Sequence, residues 1–152
     1  MSDDMRVTAI LPYYGCDRMV LESTDAWLSK TRHLGVVFAG SDSIVLRQAG
    51  KIPTVLCNDL HRHSINLGRV IASPSLKEKL AKRLAKKLFH PDELATAQAK
   101  AKSWKPTDTP DLDAATWYFI SQWMGRSAMA GTKNEFSGGL SIRWGSGGGD
   151  SN

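Results

Sequence analysis

The chain has little cysteine, no long hydrophobic run and no basic leader. Only two cysteines, Cys16 and Cys57, stand among its 152 residues. Each lies in or beside an apolar stretch, with no partner at metal-ligand spacing. That points to two reduced thiols rather than a disulfide framework or a zinc site. No apolar run approaches the roughly 18 residues that a membrane-spanning helix needs. The opening residues, MSDDMRVTAIL, are acidic where a signal peptide is basic, and no long apolar stretch follows. The expectation is a cytoplasmic chain with no membrane partner. Six prolines are present and no two are adjacent. Hydrophobic residues make up 41% and charged residues 23%, within the ordinary range of a single soluble domain.

What the chain does have is charge in one place. Between Ser75 and Lys105 there are nine Lys/Arg and three Asp/Glu, a local balance of +6. The whole chain carries +5, so the remainder is close to neutral. Placed positive charge draws polyanions by counterion release. It is equally the mark of a solvated helix face.

The order of elements reads as mixed α and β. A helix is expected from Asp17 to about Ser29. The Val-Val-Phe core of LGVVFAG predicts a short buried strand. Ser41 to Gln48 reads as a helix closed near Gly50, and IPTVLCND as a second buried strand. A helix between two strands makes them parallel. Leu60 to Ala72 is a third helix, ended by Pro74. In SPSLKEKLAKRLAKKLF, Leu76, Leu80, Leu84 and Leu88 recur every fourth residue, an amphipathic helix with a leucine stripe. Core packing explains that stripe more simply than a membrane-surface helix does. Pro91 opens PDELATAQAKAKSW, with acids in its first turn and lysines in its last. LDAATWYFISQWMG is an aromatic-rich helix. Six glycines fall between Gly138 and Gly149, in a frayed tail or in a loop whose support lies elsewhere.

The spacing of Gly40 and Asp59 carries the first functional signal. In a parallel β-α-β unit, ligands sit outside the carboxyl ends of the strands. A glycine there permits close backbone approach, and an acid at the end of the second strand accepts hydrogen bonds from ribose hydroxyls. Gly40 and Asp59 stand 19 positions apart in those two places. The segment GSDSIV keeps only one glycine of G-x-G-x-x-G, which disfavours a dinucleotide. A nucleoside site and a plain turn with a helix cap by Asp59 both remain open on spacing alone.

Four segments occur in an order that carries a resemblance: LPYYGCDR, VVFAGSDS, CNDLHRHSINLGRVI and WYFISQWMGRSAMAGTKNEFSGGLSIRW. Together they resemble the adenine-specific DNA methyltransferases of the DNA adenine methylase type, which use S-adenosylmethionine. The resemblance implies an α/β, Rossmann-like class I methyltransferase fold, incomplete here, with a helical insertion. Residues 1–73 would form the cofactor-binding part. Residues 74–152 would form the mostly helical insertion and part of the DNA-recognition region. Cofactor contacts would fall to Tyr13, Tyr14 and Gly15, to Phe38, Ala39 and Gly40, and to Asp59 on the ribose. Arg126, Lys133 and Arg143 would face DNA phosphate, or be ordinary solvated cations.

Several departures accompany the resemblance. Val36-Val37 stands where the family has Asp/Glu-Pro, Asp17 where it has a lysine, and Asp42 where a second glycine is common. The family's [DNS]-P-P-[YFW] loop, which holds the flipped adenine, is missing. The expectation is therefore a truncated methyltransferase acting on double-stranded DNA, in a restriction or regulatory setting. It would bind S-adenosylmethionine weakly, carry no catalytic residue of its own, and associate with a missing C-terminal portion. The alternative is a non-catalytic DNA-binding remnant with a basic helical region. A metal is not expected at His61-Arg62-His63, because flanking positions point apart on a helix and no third ligand is evident. A Cys57–His nucleophile pair is disfavoured because a buried strand-end thiol is normally inert.

Overall fold

In a computed structural model of the chain, residues 9–12, 21–125 and 130–141 are described. The elements are α1 (Leu21–Leu28), β1 (His33–Val36), α2 (Ser43–Gln48), β2 (Thr54–Cys57), α3 (Arg62–Ala72), α4 (Pro74–Leu84), α5 (Pro91–Ser103) and α6 (Leu112–Met124). This is a mixed α/β architecture, as expected. The strands pair in parallel, with His33 opposite Thr54 and Val36 opposite Cys57. Gly50 takes φ +77° just past α2, the left-handed position a glycine occupies without strain.

One core joins the first half of the chain to the second. Ile10, Leu11, Leu67, Val70, Leu80, Ala115 and Tyr118 form a single buried cluster. Polar clasps fix how the helices meet. The Asn66 side chain on α3 makes two 2.8 Å hydrogen bonds to the backbone of Asp111, donating to its carbonyl and accepting from its N–H. Asp111 in turn caps α6, accepting from Ala114 N at 2.9 Å, and accepts from Trp104 Nε1 at 3.0 Å. On the other side, the Asp25 carboxylate of α1 grips Arg47, at 2.7 Å from Nη2, and Gln48 of α2. Those hydrogen bonds, Arg47's first, hold the Asp25 carboxyl down to about 2.

Two expectations need correction. The strands are buried on one face only. Val36 is buried, but Val37 and Leu56 are exposed, Leu56 by 69%. Side chains alternate across a strand, and among the described residues helices cover one side of this two-stranded sheet. The leucine stripe is also shorter than its repeat. α4 stops at Leu84, the chain turns at Ala85 and Lys86, and Leu88 is 74% exposed. Lys87 draws the chain toward α5 by pairing with Glu93 at 2.9 Å. Among the described residues no helix is long and apolar enough to cross a membrane.

The stripe can be checked by substitution. Leu80→Ala is expected to cost about 2–4 kcal/mol, whereas Leu88→Ala should change stability by less than about 0.5 kcal/mol. Urea denaturation midpoints, with m-values held, distinguish the two.

Candidate functional site

The carboxyl ends of β1 and β2 converge on one carboxylate. Beyond the regular ladder, Asn58 N donates to Val36 O at 2.8 Å and Ala39 N donates to Asn58 O at 3.2 Å. The chain then bends at Gly40, whose φ is +52°. Gly40 N donates to Asp59 Oδ2 at 2.9 Å. His61 N donates to Asp59 Oδ1 at 2.8 Å. One side chain thus fastens the turn after β1 to the turn after β2. An ionised carboxylate has about four acceptor positions, so each oxygen keeps one for another donor.

The other expected residues fall as follows. Phe38 is 78% exposed, so its ring is not part of the core, while Ala39 is buried. Tyr13, Tyr14 and Gly15 lie outside the described residues, as do Arg126 and Arg143. Just before Tyr13, Ile10 N donates to Ser41 O at 3.0 Å, and Ile10 O accepts from Trp123 Nε1 at 3.1 Å. That segment therefore reaches the Gly40 turn. Lys133 is exposed on the segment after α6. The segment is held by Gln98 Nε2 donating to Gly138 O at 3.2 Å and by Ser141 N donating to Met124 O at 2.8 Å.

Asp42 takes φ +59°, the left-handed conformation that aspartate tolerates better than most residues. Its buried carboxyl is pushed up to about 6, by burial first and by the charge of Asp59. The Cys57 thiol donates to Asp42 Oδ1 at 3.3 Å. Burial, with the neighbouring carboxylates, pushes that thiol up to about 12. A thiol held in this way is no nucleophile near neutral pH. A cavity of about 350 Å³ opens beside the pair, between α2, β2 and α3. Asp42 and Cys57 line it; Gly40 and Asp59 do not.

The histidines correct a second reading. His61 is the N-cap of α3, with φ −77° and ψ 91°, rather than a helical residue. Its ring therefore does not point away from that of His63, and the centroids are 5.6 Å apart. Ser64 N donates to His61 Nδ1 at 3.3 Å, and His61 Nε2 lies 2.8 Å from Glu135 Oε2. Gln122 Nε2 donates to the other Glu135 oxygen at 3.2 Å. Sequence reasoning missed this pair because 74 positions separate its members. His63 stacks on Tyr118 and meets Trp104 and Phe136, with its Nδ1 buried and without a hydrogen-bond partner. Burial first, then the charge of His61, pushes its ring down to about 4. Among the described residues, no group of three His, Cys, Asp or Glu is placed to hold a metal ion.

Two buried groups titrate with opposite sign. Folded His63 refuses a proton that the unfolded chain takes up below about pH 6.5, so it removes stability as pH falls toward 4. Folded Asp42 keeps its proton up to about pH 6 while the unfolded chain gives it up near pH 3.8, so it adds stability as pH falls through that window. His63→Phe should flatten the loss on acidification and Asp42→Asn should steepen it, each by about 1–2 kcal/mol. Urea midpoints at pH 7.5, 6 and 4.5 read both slopes.

Comparison of the chain with protein-family models, with curated proteins and with solved structures returns no match to any of them.

Proposed function

We propose that this chain carries the S-adenosylmethionine-binding part of an adenine-specific DNA methyltransferase, built on a Rossmann-like class I fold. The supporting observation is the 2.9 Å hydrogen bond from Gly40 N to the Asp59 carboxylate at the ends of two parallel strands. It brings together the two residues whose spacing raised a nucleoside site. The donor and acceptor set fits the cofactor. Asp59 keeps acceptor positions for two ribose hydroxyls. Gly40 lets the ligand approach the backbone closely, and the exposed ring of Phe38 is available for contact beside it. Tyr13, Tyr14 and Gly15 would close the methionine end.

When bound, S-adenosylmethionine supplies an activated methyl group for in-line displacement by the adenine amino nitrogen. The protein's own task is to orient: proximity and alignment lower the barrier without any covalent step on the chain. Lys133, with Arg126 and Arg143, would fix DNA through its phosphates, which positions the duplex without reading bases. A flipped adenine needs a polar acceptor and an aromatic face to hold it. No two prolines are adjacent in these 152 residues, so the paired-proline loop that does this is not among them. In this proposal the chain alone binds cofactor and does not methylate DNA.

Titration with S-adenosylhomocysteine by calorimetry tests the site. Asp59→Asn keeps one acceptor oxygen for the turn and should weaken binding by about tenfold or more, near 1.4 kcal/mol. Equal affinities in two folded proteins would remove the ribose assignment. A radiolabelled methyl-transfer assay on adenine-containing duplex is expected to show no turnover, and robust incorporation by the 152-residue chain would overturn that part.

A further inference from the structure

The Asp42 carboxylate is poorly satisfied for a group so deeply placed. The residue is 4% exposed, and its carboxylate has one described partner, the weak Cys57 thiol on Oδ1 at 3.3 Å. Oδ2 accepts from no donor among the described residues. It faces Gly68 of α3, where a Cβ would stand 3.8 Å away. Both residues line the cavity of about 350 Å³ between α2, β2 and α3, whose other walls include Val45, Val55 and Ile65. A concave apolar site with one or two placed polar groups is the ordinary form of a small-molecule pocket. Oδ2 is thus open to the cavity rather than sealed in the core, and a carboxylate oxygen on an apolar wall favours a donor or a cation as its partner.

We propose that this cavity binds a small primary amine with an apolar body. Its ammonium would sit at Asp42 Oδ2 and its body against Val45, Val55 and Ile65. An ammonium has three donors and no acceptor, which suits a wall that offers an open carboxylate oxygen. The one basic lining residue, Arg69, is exposed and turns outward, Nη1 donating to Asp108 O at 3.5 Å. Anions find no buried donor here and meet a like charge. The site does not rest on the methyltransferase reading, because neither Gly40 nor Asp59 lines it. At pH 8 the Asp42 carboxyl, held up to about 6, is ionised even with Asp59 nearby.

Calorimetry of the full chain at pH 8 with benzylamine, and with benzyl alcohol as its neutral counterpart, tests the proposal. Benzylamine should bind about tenfold tighter than the alcohol, and Asp42→Asn should abolish that difference. Gly68→Ala provides a variant that keeps the fold. It favours the helix and sets a methyl group against Oδ2, so the urea midpoint should hold or rise while benzylamine binding falls about fivefold or more. Equal binding of amine and alcohol, no binding of either to the folded chain, or full binding by Gly68→Ala would each overturn the site. Saturating S-adenosylhomocysteine should leave benzylamine binding unchanged. Competition would put the amine in the cofactor site and end the claim of a second one. Failure of S-adenosylhomocysteine to bind at all would count against the methyltransferase reading alone.

Discussion

The described structure depends on how one carboxylate is shared. Asp59 holds the N–H of Gly40 on one side and that of His61 on the other. The first bond locks the turn that follows β1. The second locks the residue that caps α3, and α3 carries Leu67 and Val70 into the core. His61 then reaches Glu135 and through it Gln122 of α6. A chain of charge-assisted and neutral hydrogen bonds therefore runs from the strand ends to the segment bearing Lys133. Hydrogen bonds to an ionised acceptor are the stronger kind, which makes Asp59 the firm end of that chain.

What was legible in the sequence was local. Gly40 and Asp59 could be found because a helix between two short apolar runs fixes strand direction, and strand direction fixes which ends meet. Pro91 marked a helix start because a missing N–H is harmless in a first turn, and Pro74, read as the end of α3, opens α4 for the same reason. The left-handed backbone of Asp42 was not read from the sequence, although aspartate tolerates that conformation better than most residues. The illegible parts were set by partners far along the chain. The open face of β1 and β2 followed from what covers the sheet, which no strand pattern encodes. His61 escaped the helical argument by being a cap, and its bond to Glu135 has no local signature. Leu88 keeps the stripe's period although the helix has ended at Leu84.

The basic segment is also less free than its count implies. Lys82 pairs with Glu78, Arg83 with Asp113 and Lys87 with Glu93. Lys87 and Lys100 lie over the Trp117 ring, 4.9 and 4.4 Å from its centroid. Cation–π contacts of this kind tie α5 and the connection after α4 to α6. Much of the local +6 thus holds helices together, and Lys77 and Lys79 on the outer side of α4 are among the cations left facing solvent.

The uncovered side of the sheet has a consequence for handling the protein. Val37, Phe38, Leu56 and Leu60 are all exposed. Two parallel strands whose outer edges are unpaired among the described residues, with exposed apolar side chains on and beyond their ends, are a template for pairing with other copies. A single lysine introduced at Leu56, pointing away from the core, would act as a gatekeeper against aggregation without touching the packed interior.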